Sequence, residues 1–135
     1  MITRGIRNNN PFNIRLSENS WKGKIAPFKN NDKEFEQFKT MRYGLRAGFL
    51  LLRNYISKGY NTVEKIINRF APSSENNVVS YIAFICENSS LTPSSLISVN
   101  SLTFYWLCQQ ILRYESQFEL EYDTYLSVMK EFRLI

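Results

Sequence analysis

Histidine is missing from this 135-residue chain, and its absence closes off much chemistry. No Ser–His–Asp triad, imidazole general base or histidine-bearing metal site can be built here. Cysteine is nearly as scarce. Cys86 and Cys108 fall in apolar helical patterns without metal-type spacing, so both read as buried free thiols with neither pairing nor redox chemistry. The longest apolar run, AGFLLL at 47–52, is far too short to cross a bilayer, and membrane insertion is not expected. The start MITRGIRNNN lacks the apolar stretch of a secretion signal. It predicts a protein made in the cytoplasm, delivered by other means if its target lies outside. Lys and Arg exceed Asp and Glu by +5, but in no run. That charge suits anionic polymers in general, bacterial cell wall included, and no nucleic-acid partner is expected. Neither a metal nor a cofactor is called for.

What is present suits a packed core. Hydrophobic residues make up 44% and aromatics 15%, which excludes disorder and predicts a single domain over 1–135. Residues 1–39 are irregular, and WKGKIAPF (21–28) and KEFEQF (33–38), separated by the turn-like KNND, predict a small β-hairpin. From Thr40 the period becomes helical. Leu45, Phe49, Leu52 and Ile56 form one stripe, with Thr40 as N-cap and Gly59 as the stop. Gly44 and Gly48 within that stretch imply close packing against another segment.

A second helix starts at Asn61 or Thr62, buries Val63, Ile66, Ile67 and Phe70, and ends at Pro72. A third is capped by Ser73 or Ser74, with Glu75 at the favourable end of the dipole. A fourth, SLTFYWLCQQILRYES, is apolar almost all round and reads as the central helix. A fifth follows in EYDTYLSVMKEFRL. The fold class is therefore mainly α, about five helices with a small N-terminal β element. The expected core is Leu45, Phe49, Leu52, Ile66, Ile67, Ile82, Ile85, Leu107, Ile111 and Leu112.

Without histidine, acid–base work at neutral pH falls to carboxylates. Glu115 stands out, ending the most apolar helix with Ile111, Leu112 and Phe118 as helical neighbours. Partial desolvation there would raise its pKa and keep it protonated as an acid. The bland alternative is an ion pair with Arg113 or a helix-end cap. RGIRNNNPFNIR (4–15) is equally unusual, a poor helix and a poor strand whose bland reading is a floppy tail.

These residues carry a resemblance. RGIRNNNPFNIR, WKG, YGLRAGFLLLRNY and NTVEKIINRFAPSSENN with a following YI resemble a family of phage and prophage proteins, described variously as virion structural proteins or lysozyme-like cell-wall enzymes. The likeness runs from residue 4 to about 116. Phe12 stands where that family usually has Gly and Phe70 where it has Trp. Tyr114-Glu115-Ser116-Gln117 replaces a His-Glu-Asn-Gly, keeping the acid and not its neighbours. A second likeness is to flagellar-type glucosaminidases and lytic transglycosylases. Glu115-Ser116-Gln117-Phe118, the segment from Asn9 to Arg15, Trp21-Lys22-Gly23 and the stretch from Glu75 to Ile82 match their motifs, in an order that suggests circular permutation.

The resemblance implies a lysozyme-like fold and a muramidase or lytic transglycosylase acting on peptidoglycan glycan strands, or a non-catalytic virion or wall-binding protein of the same fold. It implies action on the cell wall after delivery by a virion, at lysis or by a secretion system, whose proteins would be further partners. Glu115 would be the general acid, and Glu36, ahead of Glu34, the second carboxylate unless it is an exposed edge charge. Asn9, Asn10, Asn13 and Glu75 would line the sugar cleft. Tyr81 would bond near the acid or simply pack in the core. Trp21, and less so Tyr43, would stack on sugar rings or merely pack.

Overall fold

The computed structural model describes residues 2–72 and 77–135. Among these, six helices follow in order: α1 (Arg4–Arg7), α2 (Met41–Ser57), α3 (Val63–Phe70), α4 (Val78–Glu87), α5 (Leu102–Ser116) and α6 (Tyr122–Glu131). Side-chain caps set most of their starts. Thr40 accepts from Tyr43 N–H to open α2, and Thr62 accepts from Lys65 N–H to open α3. Helix α4 begins later than its composition suggests, because Asn77 caps it by accepting from Ser80 N–H at 3.0 Å. Ser73, Ser74 and Glu75, expected at that start, lie outside the described residues. Helix α1 is a single turn capped by Thr3, too short to leave a periodic trace.

No regular β-hairpin forms among the described residues. The segment around 33–39 is extended and meets two others, through the single bridges Arg15–Phe35 and Lys24–Phe38. Glu36 N–H donates to Ile14 at 3.0 Å on one side, and Ile25 N–H donates to Gln37 at 2.8 Å on the other. Asparagine side chains then take the places where further ladder bonds would fall. Asn10 Nδ2 donates to the carbonyls of Glu36 and Ile14, and Asn10 Oδ1 accepts from Ile14 N–H. These amides compete with the ladder and satisfy the backbone without it.

The same segment wedges against the helices. A Cβ on Gly44 would lie 1.9 Å from the carbonyl oxygen of Asn9, and one on Gly48 would lie 1.9 Å from the Phe12 ring. The two glycines are thus a slot in α2 for residues 9–12. Phe12, fully buried, meets Phe49 edge-on at 5.7 Å, and Phe49 in turn meets Phe104 and Tyr125. Around this aromatic line α5 buries Leu107, Cys108, Ile111 and Leu112. Every expected core residue is buried except Ile82, half-buried on α4, and Phe70, expected inside with α3, is also only half-buried. At the far end of α5, Ser116 Oγ donates to the Pro11 carbonyl, and Thr3 Oγ1 donates to the Ser116 carbonyl. The N-terminal segment is thereby fastened to the last turn of α5.

Candidate active site

Glu115 occupies that last turn, just before α5 stops at Gln117 in the left-handed conformation (φ 53°). It opens onto a groove of about 220 Å³. One wall comes from the N-terminal segment (Asn13, Arg15, Asn19, Trp21), the other from α2 and the end of α3 (Leu51, Tyr55, Phe70, Ala71). Both carboxylate oxygens have donors. Asn13 Nδ2 lies 3.0 Å from Oε1, and the Tyr81 hydroxyl lies 2.7 Å from Oε2. Tyr81 is fully buried and stacked on Tyr114 with ring centroids 3.8 Å apart.

The electrostatics are opposed. Burial raises the Glu115 pKa, while the Asn13 and Tyr81 hydrogen bonds and the Arg15 charge lower it. Burial prevails, and the group sits above the ordinary carboxylate value. Burial and the neighbouring carboxylate push the Tyr81 phenol well above its usual range, so it stays a hydroxyl. Arg113 does not pair with Glu115. It forks to Glu119, with Nε 3.0 Å from Oε2.

The structure scatters the remaining candidates. Asn13 and Trp21 share the groove with Glu115, and Tyr81 holds the acid from behind. Asn10 does not line it: the side chain is fully buried and spent on backbone bonds. Asn9 turns away too, in a left-handed conformation (φ 53°), with Nδ2 donating to the Phe38 carbonyl. Glu36 is neither an edge charge nor a groove residue. It is fully buried, its Oε2 2.9 Å from Lys24 Nζ and within reach of Ser17 N–H. Glu34 is exposed and paired with Arg4 and Arg15. Among the described residues Glu115 is thus the one carboxylate lining this groove. Tyr43 packs on Phe132 at 5.7 Å instead of facing a ligand. Glu75 lies outside the described residues.

Arg15, Asn19 and Tyr55 also line the groove and were not singled out by sequence. Tyr55 adjoins Ile56 of the α2 stripe, and only the placing of residues 13–21 against α2 turns it into a wall. Asn13 Oδ1 and Trp21 Nε1 are buried in that wall without a hydrogen-bond partner, an acceptor and a donor left over. Among the described residues no three metal-ligating side chains come together, and no helix is long and apolar enough to cross a membrane.

No known protein-family profile matches the chain. Over 92 residues it is 40% identical to Protein P5 of Pseudoalteromonas phage PM2, an alignment covering 65% of this chain and 56% of that protein. The chain therefore spans little more than half the length of this relative, and the likeness associates it with phage.

Proposed function

We propose that this protein is a lysozyme-like enzyme of phage that cleaves peptidoglycan glycan strands, with Glu115 as general acid. The observation that carries this reading is a half-buried carboxyl of raised pKa, held by Tyr81 and Asn13 and open to a groove. Its wall offers what an N-acetylated sugar needs: amides from Asn13 and Asn19, an indole face from Trp21 and a phenol from Tyr55. Protonated Glu115 gives its proton to the glycosidic oxygen as the bond to the sugar breaks. The substrate's acetamido group steadies the resulting cation. The carboxylate then takes a proton from the incoming hydroxyl, closing the cycle on one acid.

With Glu36 clamped by Lys24 and Glu34 held outside by two arginines, a lytic transglycosylase route is preferred to a two-carboxylate hydrolase. Delivery by a phage particle or at lysis fits the phage relative. A non-catalytic virion or wall-binding role is the second reading, favoured by the lone acid in the groove and by the engagement of both its oxygens.

A zymogram on purified cell wall separates the two. Clearing by wild type and none by Glu115→Gln supports the enzyme, whereas binding to wall without clearing by either supports the second reading. Mass spectrometry of released fragments distinguishes the routes, because transglycosylase products are lighter by one water than hydrolase products.

A further inference from the structure

A second concavity, about 660 Å³, lies along α3. Its floor includes Tyr60, Thr62, Lys65, Asn68 and Arg69. The Arg69 guanidinium lies over two phenol rings, 4.8 Å from the centroid of Tyr60 and 5.8 Å from that of Tyr55. Tyr55 also lines the Glu115 groove, and the next residue after Arg69, Phe70, does so too. Arg69, which lines the second depression, thus lies over a ring that lines the first.

Arg69 differs from most of the arginines placed near carboxylates. Arg4, Arg15, Arg42 and Arg113 all pair with acids, whereas the contacts of Arg69 are with the two rings. A guanidinium resting on aromatic faces is weakly hydrated and preorganised, and keeps its fork of donors for a planar anion. Lys65, four residues back on α3, adds a second positive charge to the same concavity, against one negative charge from Glu64.

We infer that Arg69, stacked on Tyr55 and Tyr60, is a carboxylate-recognition point beside the Glu115 groove, selecting glycans that carry acidic substituents over neutral ones. This rests on the reading of that groove as a glycan site. In peptidoglycan the carboxylate comes either from the lactyl group of a muramic residue stripped of its peptide or, where the peptide occupies that carboxyl as an amide, from the stem peptide itself. Both present the same planar anion to the fork.

Equilibrium titration of the full chain with three probes tests the inference: neutral chitotetraose, a muramic-acid disaccharide without peptide, and the same disaccharide bearing an acidic tripeptide. Arg69→Met keeps the stem and loses the charge, and because Arg69 is solvent-exposed its melting point should match wild type. We expect it to bind the carboxylate probes about tenfold more weakly or worse, as for loss of a charge-assisted pair, with chitotetraose unchanged. Added salt should weaken wild-type binding of the acidic probes and leave the variant nearly indifferent. Loss confined to the peptide-bearing probe places the stem peptide on Arg69, loss confined to the peptide-free probe places the lactyl carboxylate there, and loss on both shows that the fork takes either anion. Arg69→Lys should recover only part of the affinity. If wild type binds all three probes alike, or Arg69→Met weakens them equally or not at all, the inference falls and the glycan reading stands. If none binds wild type, both fall.

Discussion

One amide of Asn13 serves Glu115 twice, with Nδ2 3.0 Å from the carboxylate Oε1 and 3.1 Å from the main-chain carbonyl of the same residue, 102 positions along the chain. The carbonyl contact settles which way the amide faces. Turned over, it would set Oδ1 against two oxygens. A donor therefore always meets Oε1, and the acid's proton belongs on Oε2, where the Tyr81 hydroxyl can accept as readily as donate. Asn13→Ala removes a bond that favours the ionised form, so the Glu115 pKa should rise further above its ordinary value. Carbon-detected NMR titration of the carboxyl reads this directly, and the pH profile of wall cleavage should move the same way. An unmoved or lowered pKa would show that Asn13 does not tune the acid.

Glu115→Gln bears on stability as well as activity. The folded pKa of Glu115 is raised, so the folded state holds its proton to higher pH than the unfolded state. That contribution is fully present below the unfolded value of about 4.3 and is lost as pH rises through the folded pKa. Gln stays neutral throughout. Its amide can face the Tyr81 hydroxyl while its oxygen accepts from Asn13. At pH 7 the variant should melt at or slightly above the wild-type temperature, and the difference should close in acid. A melting point several degrees lower would make Glu115 a structural residue first.

Asp32 carries the opposite sign. It takes Arg4 through both oxygens at 2.8 and 2.6 Å, Asn8 Nδ2 at 2.9 Å and the backbone N–H groups of Glu34 and Phe35, and its side chain is only 3% exposed. These donors, Arg4 foremost, hold its carboxyl well below the usual range. Its stabilisation is present above the unfolded value of about 3.9 and is lost as pH falls toward the folded one. Because Arg4 is 40% exposed, the ion pair alone is worth little, and most of the effect belongs to the bonds around a buried carboxylate. Asp32→Asn should cost about 1–3 kcal/mol in urea unfolding at pH 7, and flatten the loss of stability below about pH 4. A variant as acid-labile as wild type would assign that lability elsewhere.

Much of this was legible in the chain. Thr40 and Thr62 cap their helices because a hydroxyl before a periodic run has few other uses. Gly44 and Gly48 announced a close approach, and residues 9–12 make it. Three apolar neighbours marked Glu115 as a carboxyl under desolvation. The asparagines were harder, because an amide that faces a sugar and one that replaces a ladder bond look identical in sequence. Asn13 lines the groove beside Glu115 and Asn10 replaces ladder bonds, a difference set by which part of the chain each one meets. Phe12 and Phe70 depart from the pattern of the resembling family, and their rings pack edge-on with centroids 6.4 Å apart. The Phe12 ring fills the space beside Phe70, a pairing that no reading of either position alone reveals.

Glu36 was the least legible, since alternation around 33–38 fits an exposed edge as well as a burial site. In the structure Lys24 Nζ spans its Oε2 at 2.9 Å and the carbonyls of Ser17 and Asn19 at 2.7 and 3.0 Å, closing the loop that carries Asn19 and Trp21 into the groove. The pair thus shapes the wall and stands apart from the acid. Glu36→Leu alone strands a buried ammonium and should cost about 3–5 kcal/mol, whereas Glu36→Leu with Lys24→Met replaces both charges and should return most of that loss. Without Lys24 the loop loses two carbonyl ties. Wall cleavage by the double variant should then show a raised KM and a kcat close to wild type. A folded double variant with no kcat left would instead return Glu36 to the chemistry as the second carboxylate.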